Sequence, residues 1–168
     1  MNRTYRVLIG VMGASSCDEA TYELARRVGA LIAERGAVLL CGGRGGVMEA
    51  AAQGAKEMGG LTIGVMPGMN AGESPPNPYI DVALFTGLRD GRNWVNVCAS
   101  DAIIAIAGGY GTLSEIALAL KIGKPVVLLR SWELPARGQA PLFHAHTPEQ
   151  AVDLAFQQIT LREERLSG

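Results

Sequence analysis

Aromatic residues make up only 5 % of the 168 positions, the chain has no run of lysine or arginine, and its formal net charge is −1. Nucleic-acid binders neutralise phosphates with clustered cations and stack bases on aromatic rings, so no nucleic-acid partner is expected. Cysteine is scarce as well. Cys17, Cys41 and Cys98 are odd in number and show no CxxC spacing, which reads as reduced thiols in a cytoplasmic protein. The nearest thing to an export signal is Arg3 and Arg6 ahead of Val7-Leu8-Ile9-Gly10-Val11-Met12, with Ser15-Ser16-Cys17 behind. That apolar run is short, and cleavage there would remove what reads as the first core strand. Neither export nor a membrane partner is therefore expected.

What is present is a full core and much glycine: 48 % hydrophobic residues, and 22 glycines too dispersed for low complexity. At this length one compact α/β domain over residues 1–168 is expected. Strand-like and helix-like runs alternate, which predicts parallel strands joined by helical crossovers. The strands are expected near Tyr5 to Met12, Val38 to Cys41, Leu61 to Met66, Ile80 to Phe85, Ala102 to Ile106 and Val126 to Leu129. Helices fall near Glu19 to Arg35, Val47 to Met58, Arg92 to Ala99 and Leu113 to Lys121. A last helix is announced by Thr147-Pro148-Glu149-Gln150, with an N-cap, a first-turn proline and a capping-box glutamine. The segment from Pro67 to Pro78 reads as a surface or active-site loop, and Ser131 to His146 as irregular. The fold class is a single-domain, Rossmann-like, doubly wound parallel sheet with helices on both faces.

Two glycine loops stand out, each between a strand and a helix. Gly42-Gly43-Arg44-Gly45-Gly46 and Gly108-Gly109-Tyr110-Gly111-Thr112 align at an offset of 66 residues, which also superposes Glu49 on Glu115. Glycine lets backbone N–H groups come close to a ligand, and the helix behind adds unpaired N–H groups and the positive end of its dipole. Each loop is thus a candidate phosphate cradle. Gly13-Ala14-Ser15-Ser16 leaves the first strand at the same sheet edge, where open parallel sheets bind ligands.

The candidate phosphate ligands are Gly13, Ser15, Ser16, Gly42, Gly43, Arg44, Gly45, Gly46, Gly108, Gly109, Gly111 and Thr112. Several have plainer alternatives. Ser15 or Ser16 can N-cap the first helix, and Arg44 can be a free loop arginine. Thr112-Leu113-Ser114-Glu115 has capping-box spacing, which favours Glu115 as a helix cap over a carboxylate at the crevice mouth. Arg92 by spacing alone reads as a solvated surface residue. His144 and His146 lack a supporting ligand cluster, so no metal site is expected. Ile116 to Ile122 is apolar on most sides and is expected to be buried in the core or at a subunit contact, in a homo-oligomer, dimer or tetramer.

Ser100-Asp101-Ala102 running into Ile104 to Ala107, Gly108-Gly109-Tyr110-Gly111-Thr112 and Glu115 resembles the Lonely Guy (LOG) family, once termed lysine decarboxylase-like. That family carries a PGGxGTxxE motif and an upstream arginine in an MHERK-like segment, matched in spacing by Arg92. The resemblance implies cleavage of nucleoside 5′-monophosphates to free base and ribose 5-phosphate, with Arg92 and Glu115 catalytic. Ala107 stands in place of the family's proline, and Arg89-Asp90-Gly91-Arg92-Asn93 in place of MHERK. Gly91-Arg92-Asn93, Asn96-Val97 and Gly111 to Lys121 look closer to the branch of the molybdenum cofactor carrier proteins. This second resemblance implies that a phosphorylated, nucleotide-like small molecule, the molybdenum cofactor first among candidates, is held as bound ligand and not transformed, with no other cofactor. The carrier is the leading expectation and the phosphoribohydrolase the alternative, and the sequence leaves open whether the protein is an enzyme.

Overall fold

A computed structural model describes residues 3–167. Strands β1 (Leu8–Gly13), β2 (Val38–Cys41), β3 (Thr62–Met66), β4 (Val82–Phe85), β5 (Ala102–Ile106), β6 (Val126–Leu129) and β7 (Leu142–Ala145) form one sheet in the order β4-β3-β2-β1-β5-β6-β7. Every pairing is parallel. The central strands bury both faces, so they read as continuous apolar runs. Alternation still sorts their side chains. Ile9, Val11, Leu39, Ile104 and Val127 face α1 (Glu19–Glu34), α2 (Val47–Glu57) and α5 (Pro148–Ser167). Met12, Leu40, Ile103 and Val126 face α3 (Arg92–Ala99) and α4 (Tyr110–Lys121).

Helix α1 begins where Asp18 accepts a hydrogen bond from Thr21 N at 2.8 Å, so neither Ser15 nor Ser16 is its cap. Its pairing with α2 depends on two close backbone approaches. A Cβ on Gly29 would collide with the Ala51 carbonyl, and one on Gly54 with the Arg26 carbonyl. Gly29→Ala is accordingly expected to cost about 1–3 kcal/mol through overpacking, read from the urea midpoint. An unchanged midpoint would show that the two helices can separate without loss.

Most elements lie close to their expected positions, with three departures. Residues 131–146 are not wholly irregular, because β7 pairs with β6 from Val126↔Leu142 to Leu129↔Ala145. Its four residues after Pro141 are too short to give a periodic signal. Helix α4 starts at Tyr110, three residues before the expected position. The first strand also begins later than expected, at Leu8, leaving Tyr5 exposed.

Candidate ligand-binding crevice

The loops after β1, β2 and β5 meet at the carboxyl edge of the sheet, where strand order reverses between β1 and β5. They enclose a crevice of about 370 Å³, within the range of small-molecule sites. Of the sequence candidates, Gly13, Ser15, Gly42, Arg44, Gly109, Gly111, Thr112, Arg92 and Glu115 line it. Ser16, Gly43, Gly45, Gly46 and Gly108 do not.

The two glycine loops are alike in sequence and unlike in space. At the first, Val47 N donates to Ala14 O at 2.9 Å, and a Cβ on Gly46 would strike that same carbonyl. The amino end of α2 is thus closed by the protein's own β1 loop. Gly42 makes room for a guanidinium, since a Cβ there would overlap Arg92 Nη1. Asn77 fastens the loop from below, with its Nδ2 donating to Arg44 O at 2.9 Å and its backbone N to Gly43 O at 2.9 Å.

The second loop is open. Gly108 has φ +98°, and its added Cβ would run into Thr112, so the turn itself requires glycine there. Gly109 and Gly111 differ: both are exposed, neither has positive φ, and a Cβ on either meets nothing within 4 Å. Packing does not demand glycine at these two positions. Gly109 caps α4 without any side-chain hydrogen bond, leaving the helix's first N–H groups available to an anion.

Glu115 is not a helix cap. Because α4 begins at Tyr110, Thr112 lies inside the first turn and Glu115 in the second, too far along to fold back. Its Oε1 instead accepts from Asn96 Nδ2 at 2.9 Å, on the neighbouring α3. Asn96 is fully buried, and its Oδ1 has no partner. With 7 % of its surface exposed, Glu115 is pushed up to about 7 by burial, against the opposing influences of Asn96 and Arg92. Half-protonated at neutral pH, such a carboxyl can give or take a proton.

Nor is Arg92 a solvated surface residue. It is half-buried at the start of α3 and donates from Nη1 to Val65 O at 3.1 Å. Burial holds it below the usual arginine value, with the Glu115 charge pulling the other way. Among the described residues no ion pair joins the two. Asn93 steadies the rim through Ser114 Oγ at 3.0 Å.

Met12, Ala14, Met48, Asp90 and Asn93 also line the crevice, and the sequence reading did not single them out. Met12 and Met48 carry only a core signal. Asn93 and Asn96, three residues apart on α3, were the detectable pair, since a polar residue facing inward from a helix needs a partner. His144 and His146 are exposed, and no group of metal-ligating side chains occurs among the described residues.

Residues 6–158 match the model of the SLOG cluster4 family. The chain belongs to that family. The molybdenum cofactor binding protein of the phototrophic bacterium Rippkaea orientalis is 40 % identical, with a TM-score of 0.84 over 94 % of this chain and 99 % of that one. The molybdenum cofactor carrier protein of Chlamydomonas reinhardtii is 35 % identical, with a TM-score of 0.78 over the same shares. The cytokinin riboside 5′-monophosphate phosphoribohydrolase of Mycobacterium tuberculosis is 36 % identical over 71 % of this chain and 67 % of its own length. This SLOG cluster4 chain therefore resembles both a group of ligand carriers and a group of hydrolases.

Proposed function

We propose that this protein is a cytoplasmic, single-domain carrier that binds a phosphorylated, nucleotide-like ligand in the crevice, the molybdenum cofactor being the leading candidate. The carrying observation is the pair Gly109 and Gly111 at the uncapped start of α4, where glycine is not needed by the fold and both residues line the crevice. Phosphate seated there meets backbone N–H groups and the positive end of the helix dipole. Arg44 and Arg92 line the same crevice and supply counter-charge.

The phosphoribohydrolase reading is supported by Glu115, whose carboxyl near neutrality and beside Arg92 suits proton transfer in glycosidic cleavage. The carrier reading is preferred because Asn96 ties that carboxyl back into the interior and Val65 O holds Arg92. Self-association belongs to the same proposal. Ala117 is exposed, and Leu118, Leu120 and Ile122 are only half-buried, so part of α4's apolar surface is left for a second copy.

Two assays decide between the readings. Purified protein is incubated with a panel of nucleoside 5′-monophosphates and released base is measured by chromatography, and protein exposed to molybdenum cofactor is gel-filtered and assayed for molybdenum. The carrier reading expects no base and about one molybdenum per chain. Base release that disappears in Glu115→Gln establishes the hydrolase instead.

A further inference from the structure

Beside the crevice lies a second chamber of about 560 Å³, roofed by the loop carrying Pro67 to Ser74 and by Gly87 to Arg92. Arg44, Asp90 and Arg92 line both cavities, so the two adjoin at these residues. Arg89 belongs to the second chamber alone. We propose that this chamber is a second oxyanion subsite, built on Arg89 and Ser74, which takes a phosphate-like tetrahedral group alongside the phosphate in the crevice. The proposal rests on the phosphate reading of the crevice and adds a second acidic group to the ligand.

Three observations carry it. The first is the charge balance. Three guanidiniums, Arg44, Arg89 and Arg92, face two carboxylates, Glu73 and Asp90. Glu73 is occupied in bracing the loop, accepting from Met69 N at 3.1 Å and from Asn70 Nδ2 at 3.4 Å. Among the described residues no ion pair engages any of the three arginines, and Arg92 bonds only a carbonyl. Unpaired guanidiniums around a cavity recognise oxyanions through their planar N–H forks.

The second observation is Ser74. It is 4 % exposed, lines the chamber, and its hydroxyl has no hydrogen-bond partner. A buried hydroxyl left unpaired is costly unless a ligand completes it. The third is the backbone of Arg89, held at φ +50° with its N–H donating to Pro67 O at 3.0 Å. Glycine would adopt this conformation freely, and an arginine does so only at a cost. Arg89 lines the chamber from this costly backbone position.

The test counts bound inorganic phosphate by equilibrium dialysis at low salt. The wild type is expected to bind two phosphates per chain. Arg89→Gly, which relaxes its own backbone strain and keeps the fold, should retain one, and so should Ser74→Ala. Gly109→Val should lose the crevice phosphate and retain the other. A single phosphate lost in Gly109→Val but kept in Arg89→Gly overturns the second subsite and leaves the crevice standing. A single phosphate with the opposite response leaves the chamber standing and overturns the crevice; no bound phosphate overturns both. Ribose 1,5-bisphosphate identifies the source of the second group. Displacement of both phosphates by one equivalent shows a single two-ended ligand, and displacement of only one shows that the chamber takes a free oxyanion.

Discussion

Gly109→Val lowers the crevice's affinity for a phosphate-bearing ligand by at least about 100-fold, while the melting temperature stays within a few degrees of wild type. The two halves of this prediction come from different facts. The backbone at Gly109 is extended, at φ −99° and ψ −150°, which a β-branched residue tolerates, and an added Cβ meets no protein atom within 4 Å. Folding therefore has little to lose. Binding has much to lose, because hydrogen bonds to a charged group are each worth about 1.5–3 kcal/mol. Displacing phosphate from two of them exceeds the roughly 2.7 kcal/mol that a 100-fold change represents. Gly108→Val is the contrasting control. Its φ of +98° and the collision with Thr112 predict a destabilised protein, whatever the ligand does. Titration with adenosine 5′-monophosphate beside thermal melts checks both, and unchanged affinity in a folded Gly109→Val protein would remove the second glycine loop from the site.

Glu115→Gln makes the protein more stable at pH 8 and flattens its stability between pH 4.5 and 7. In the folded chain Glu115 titrates at about 7, against 4.5 when exposed. Its neutral form is thus the one the fold accommodates. Below about pH 4.5 both states hold the proton and the contribution is fully present. As pH rises the unfolded chain releases its proton first, so stability falls until the folded carboxyl also ionises above 7. The loss amounts to about 3 kcal/mol. Glutamine stays neutral throughout and can still accept from Asn96 Nδ2. A protonated Glu115 also has an O–H to donate, and Asn96 Oδ1, unpartnered in this arrangement, can accept it after a half-turn of the amide. Urea denaturation of both proteins at pH 4.5, 6 and 8 provides the test. Parallel wild-type and variant curves at every pH would show that Glu115 titrates in the fold as it does when exposed, with no shift from burial.

These two residues also mark how far the sequence could be read. Strand β5 and the turn at Gly108 are written locally, in an apolar run and a glycine that only positive φ explains. The start of α4 is not. Thr112 to Glu115 has the spacing of a capping box, and the spacing misleads because the helix begins at Tyr110, where Gly109 supplies no side-chain cap. Asn96 lies 19 positions before Glu115, so their hydrogen bond has no local signature. The strand at Leu142 to Ala145 escaped for a related reason, since among the described residues it pairs with β6 alone and nothing local distinguishes four residues after a proline.

Alternation of apolar strands and amphipathic helices by itself determined the parallel, doubly wound sheet and the edge on which its loops open. These follow from short-range periodicity and the handedness of crossovers. Tertiary structure decided which of two similar glycine loops remains open to a ligand. The β1 loop happens to fill the end of α2, whereas none of the described residues fills the end of α4. Tertiary structure also decided that Glu115 titrates near neutrality, because a carboxyl's proton affinity depends on the water and charges excluded or gathered around it by residues distant in sequence.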